Sequence, residues 1–110
     1  MQSTVRRERL EKMLLLTILG CLEGVKSGAV MIDEAEKIIF SPYIIKKLRS
    51  KKCNEKIVEI VEKGCELEDI YSLLPENFDN VIEELKQETV MLAKDYEECV
   101  ESFWLEEYLG

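Results

Sequence analysis

The chain has 110 residues, which is room for one domain and little more. Its 46% hydrophobic content excludes a disordered chain, and two prolines with five glycines are too few for the turns of a sandwich or barrel. Fifteen Lys/Arg stand against 23 Asp/Glu with no histidine, so the net charge is −8 and the commonest general base and metal ligand are both missing. These bounds predict one domain over residues 1–110, all-α, a compact bundle of about five to six helices.

The first predicted helix runs from about Thr4 to Val25. Leu10, Leu14, Ile18, Leu22 and Val25 recur at helical spacing, and Met13, Leu15, Leu16 and Leu19 fill its other sides. A helix apolar all round is expected at the centre of a bundle, so this is read as a long N-terminal core helix. Arg6, Arg7 and Arg9 before the run Met13–Leu19 superficially resemble a signal sequence. Glu23 and Lys26 bring charge back quickly, however, and no small-x-small cleavage site follows. The run is also far below the roughly 20 residues of a membrane span. A cytoplasmic chain without membrane contact is expected. Gly20, Gly24 and Gly28 fall four apart and bare one helix face; packing within the chain at Gly20 and chain termination at Gly24 or Gly28 are favoured, and a homodimer through this face stays open.

Asp33 with Glu36 three residues later gives a capping-box-like start to a short helix through Phe40, with Ile32 as the staple. Ser41-Pro42 then caps and opens another helix carrying Tyr43, Ile44, Ile45 and Leu48. Asn54 caps the next, in which Ile57, Val58, Ile60 and Val61 are apolar and Gly64 is the stop. Leu67, Ile70, Tyr71 and Leu74 mark a short helix closed by Pro75. A long acidic C-terminal helix is predicted from near Asn77 to Phe103 or beyond. Its buried stripe is Phe78, Val81, Ile82, Leu85, Thr89, Leu92, Tyr96, Cys99 and Phe103, advancing by three or four.

The four cysteines, Cys21, Cys53, Cys65 and Cys99, are widely and irregularly spaced, with no C-x-x-C pair. They read as reduced thiols, Cys21 and Cys99 as small hydrophobes on apolar helix faces. No glycine-rich phosphate loop or nucleophile elbow is present. The doublets Glu83-Glu84, Glu97-Glu98 and Glu106-Glu107 diverge by about 100° on a helix and do not aim two carboxylates at one substrate. A non-enzyme without cofactor or metal is expected.

Charge is divided sharply along the chain. Residues 1–63 hold thirteen Lys/Arg against nine Asp/Glu, whereas residues 64–110 hold two lysines against fourteen acids, a local sum of −12. Lys46, Lys47, Arg49, Lys51, Lys52 and Lys56 form a basic cluster, but it lacks interleaved aromatics and the whole molecule repels phosphate. Direct nucleic-acid binding is therefore not expected, and the cluster is read as pairing with the acidic half of its own surface. On the acidic side, Glu83, Glu84, Met91, Asp95, Glu98 and Glu101 fall on the outer face of the last helix, and Trp104 lies in an apolar C-terminus. Acids around apolar anchors suit a basic protein partner, the charge steering encounter and Met91 and Trp104 supplying hold.

The stretch Leu16–Gly28, followed by Ile32-Asp33-Glu34-Ala35-Glu36 and Phe40-Ser41-Pro42-Tyr43, resembles a small bacterial family of proteins similar to the immunity partners of polymorphic or contact-dependent growth inhibition toxins. The resemblance spans roughly residues 14–48 and rests on caps and packing glycines, so it carries over no functional residue. It implies a helical inhibitor of a cognate toxin, often a nuclease, whose basic cleft an acidic surface would occlude. The alternative expectation is a regulatory adaptor or anti-activator that binds a host transcription or signalling protein.

Overall fold

The fold is built on a long helix, α1 (Gln2–Ser27), whose charge-free run Met13–Leu22 leaves the backbone no better option than burial of one face. The structure, a computed structural model, describes residues 2–98, and side chains from Arg6 onward. Leu15, Ile18 and Leu22 are fully buried, with Cys21 and Glu11 beside them. The helix ends where Gly28 turns left-handed (φ +84°), its N–H bonding the Val25 carbonyl, while the Val30 N–H closes back on the Gly24 carbonyl.

Short helices then wrap this rod. α2 (Ile32–Ile38) starts after an extended Met31, so Asp33 lies inside the first turn and its predicted capping role is not taken. In α3 (Pro42–Ser50) the Ser41 hydroxyl accepts from the Ile44 N–H and Pro42 takes the first turn, as expected of this pair. The turn into α4 (Glu55–Gly64) passes through Lys52, a non-glycine residue at φ +57°, before the Asn54 side chain accepts from the Lys56 N–H. α5 (Leu67–Leu73) leads to Pro75, which opens α6 (Pro75–Ala93) and does not merely close its predecessor.

α6 runs antiparallel to α1. Lys26 bonds Glu83, Lys86 reaches Glu23, and Lys12 donates to the Glu97 carbonyl, an evenly stepped register along the pair. Between them the predicted stripe is buried: Phe78, Ile82, Leu85, Thr89 and Leu92 face inward, and Val81 is half-buried. Each such aliphatic or aromatic side chain contributes on the order of 1.5–3 kcal/mol of burial. The helix stops at Ala93, where the expectation carried it to Phe103. Asp95 and Tyr96 N–H groups turn back on the Leu92 and Ala93 carbonyls, tightening the end into a turn. Among the described residues there is no strand, and no helix is long and apolar enough to cross a membrane.

Two expectations about α1 are corrected. Its outer side is not enclosed: Leu10 and Leu16 are each 46% exposed, and a Cβ at Gly20 would meet nothing within 4 Å. The close approach occurs instead at Gly24, where a Cβ would lie 2.6 Å from Val30 Cγ2. Gly64 likewise does more than end a helix, because a Cβ there would overlap the buried ring of Phe40.

Candidate functional site

The residues predicted to bind a partner are only partly brought together. Glu83 is half-buried and occupied: Lys26, hydrogen-bonded to it, holds its carboxyl below the usual carboxylate range, and Lys86 sits 3.4 Å away. Glu84 is exposed on the outer face with Gln87 and Met91, the last 68% exposed. Asp95 and Glu98 are exposed but follow the helix end, so they do not continue that face. Glu101 and Trp104 lie outside the described residues, as do Cys99 and Phe103 of the predicted stripe. The other three cysteines are free thiols, Cys21 and Cys53 buried and Cys65 half-buried, and burial pushes each thiol up from its ordinary value.

Among the described residues, the basic cluster forms no ion pair with the acidic half. Arg49 bridges Glu55 at 3.2 Å and Glu62 at 3.3 Å, both on the neighbouring α4, and the Lys47 ammonium lies 5.9 Å from the centroid of the Tyr43 ring. The described lysines of the N-terminal half that do reach acids of the C-terminal half are Lys26, and Lys63, which holds Glu88 at 3.0 Å. All of these pairs are solvent-exposed and stabilise weakly.

At the α3–α4 turn a buried polar knot fixes the geometry. Glu11, 5% exposed, accepts from the Asn54 N–H and from the Tyr96 hydroxyl, each at 2.7 Å. The Asn54 amide completes the triangle by donating to the Tyr96 oxygen at 3.2 Å. Burial, then the hydrogen bond to Glu11, pushes the Tyr96 phenol up to about 12. The left-handed Lys52 turn aims the Asn54 N–H at this carboxylate. One side chain from α1 thereby ties down both the α3–α4 turn and the segment after α6.

The other end of the α1–α6 pair carries an open apolar groove of about 530 Å³. Val25 of α1, Val30, Ile32 and Phe78 of α6 form its walls, and Tyr71 of α5 stands edge-on to Phe78 with ring centroids 5.1 Å apart. Met31 at the lip is 70% exposed, and Leu73 and Leu74 just beyond Tyr71 are exposed as well. Asp33 and Glu68 are the acidic lining residues. Glu36 lies near Glu68, and burial together with Glu68's charge raises the Glu36 carboxyl above its ordinary value. Asp33, Glu68, Asp69 and Glu76 form no ion pair with a described residue, and no group of acids, cysteines or histidines among the described residues is arranged to hold a metal ion.

Sequence reasoning missed this groove because its walls come from four segments spread over residues 25–78. The only local trace was Met31, an apolar residue beside a glycine turn and an acidic helix start. No curated protein and no solved structure matches the chain. A family model does match, covering residues 5–106, and the chain belongs to that family, described as a protein of unknown function (DUF3969).

Proposed function

We propose that the protein acts by binding and not by catalysis, and that its partner is a basic protein surface met by the end of the molecule where α1 stops and α6 begins. In line with the resemblance over residues 14–48, the fullest form of this reading is a cytoplasmic immunity protein that occludes the basic cleft of a cognate toxin, such as a nuclease. One observation carries the reading: exposed Tyr71, Leu73 and Leu74 lie beside carboxylates of Asp33, Glu68, Asp69 and Glu76 that no described cation neutralises. Unneutralised acids cost little in water and attract a basic partner, while apolar groups among them supply contact area that charge alone does not. Met91 with Glu84 forms a second, flatter patch on the outer face of α6.

The test is co-expression with the product of the adjacent gene, followed by size exclusion and binding kinetics at several salt concentrations. A stoichiometric complex whose association rate falls as salt rises is expected. Failure to form a complex, or association indifferent to salt, overturns the reading.

A further inference from the structure

We infer that the groove between the end of α1, α2, α5 and α6 receives one bulky apolar side chain of a partner protein, carried on a segment with Lys or Arg on either side of it. This rests on the reading of the chain as a binder of basic proteins and states where the anchor of that partner goes.

The groove is within the range of about 300–1,000 Å³ in which proteins enclose ligand groups, and at about 530 Å³ it has room for a side chain and not for a domain. Val25, Val30, Ile32 and Phe78 make most of its lining apolar, so the group that packs against them is best apolar itself. The edge-to-face pair of Tyr71 and Phe78 lines the groove with aromatic carbon, which suits an incoming aromatic or thioether. Met31 at the lip is unbranched and exposed, and it adapts its shape to the occupant. Asp33 and Glu68 line the groove as well, with Asp69 following Glu68 on the exposed α5 surface. A residue adjacent to the inserted side chain is therefore held best when it is cationic.

Other occupants fit these features poorly. A second copy would bring one acidic end against another in a molecule of net charge −8. The chain's own residues 99–110 contain Glu101, Glu106 and Glu107 with no Lys or Arg, the wrong sign for this rim.

The experiment titrates the ¹⁵N-labelled full chain with three synthetic twelve-residue peptides: one with a central Trp flanked by four lysines, one with that Trp replaced by Ala, and one with the lysines replaced by Glu. The first peptide is expected to shift the amide signals of Val30, Met31, Tyr71 and Phe78. Loss of the Trp should weaken binding about tenfold, the worth of roughly 1.4 kcal/mol, and the acidic peptide should not bind. Met31→Lys, at a site 70% exposed where little packing is lost, should weaken the first peptide about tenfold, whereas Met91→Lys on the other patch should not. Shifts confined to α6 around Met91, equal binding of the acidic peptide, or no shift in the groove at millimolar peptide would each overturn the inference. Shifts around Met91 would leave the basic-partner reading standing. Groove binding without a complex with the neighbouring gene's product would instead remove that reading and leave the groove.

Discussion

Gly64 shows how a single missing side chain sets the distance between two elements. It is the last residue of α4, buried, and the face it leaves bare is filled by the Phe40 ring from the link between α2 and α3. Alanine elsewhere in a helix is worth up to about 1 kcal/mol more than glycine. Here its methyl would enter the ring of a residue only 1% exposed, and close-packed interiors give a buried ring little room to retreat. Gly64→Ala should therefore destabilise the fold by about 1–3 kcal/mol, the usual cost of overpacking a core, despite its better helix propensity. Denaturant melts of Gly64→Ala, Phe40→Leu and the double variant provide the check. The double variant should lose clearly less than the two single losses together, since a shorter side chain at 40 makes room for the methyl. Strict additivity would mean that the two residues do not contend for one space.

At the scale of elements, what was legible in the sequence is what is local. Ser41-Pro42 and Asn54 cap the helices expected of them because a cap is satisfied within three residues. The inward stripe of α6 from Phe78 to Leu92 was equally readable from its period. The end of α6 was not, because Tyr96 keeps the stripe's period and stays packed against the core after the helix has stopped. Its hydroxyl is taken by Glu11 from α1, 85 residues away, and by Asn54, a competition that no local pattern reveals. The site was legible only in sign: the acidity of the second half was plain, but the groove needs the fold to assemble it. The knot makes a direct prediction. A phenol held at about 12 in the fold but near 10 when unfolded binds its proton more tightly in the native state. Its contribution to stability is then complete below pH 10 and is lost as pH rises toward 12. Glu11→Gln leaves the burial in place and removes the negative charge beside the hydroxyl. Tyr96 should then ionise at lower pH, still above 10, as followed by its tyrosinate absorbance or ring-carbon shift, and the loss of stability above pH 10 should shrink. The same variant should cost about 1–3 kcal/mol at neutral pH, because a buried charged acceptor of two part-buried hydrogen bonds is replaced by a neutral one. A Tyr96 titration unmoved by the substitution would mean that burial alone sets it.

At the scale of the whole molecule, the division of charge along the sequence is carried in part into the fold, a shape of 45 × 27 × 25 Å. The antiparallel register of α1 and α6 puts the start of α1, with Arg6 and Arg7, at the same end as the α3–α4 turn with Lys51, Lys52 and Lys56, because Glu11 is bonded to Asn54. Asp33, Glu36, Glu68, Asp69 and Glu76 gather at the opposite end, around the groove. Two of the acids in the nominally basic half, Asp33 and Glu36, thus join the acidic pole, while Asp95, Glu97 and Glu98 of the acidic half lie toward the other end, where Tyr96 meets Glu11 and Lys12 meets the Glu97 carbonyl. Such an arrangement orients an approaching basic partner before contact, and its effect belongs to where the charges lie as well as to their sum. The contrast can be measured with paired reversals of equal total charge. Glu68→Lys with Glu76→Lys changes the acidic pole, and Glu8→Lys with Glu59→Lys changes exposed positions away from it. With the lysine-flanked Trp peptide as probe in stopped flow at low salt, the first pair should slow association about tenfold and flatten its salt dependence, while the second should change it less than about twofold. Equal slowing by both pairs would mean that net charge alone governs encounter and that the polar arrangement contributes nothing.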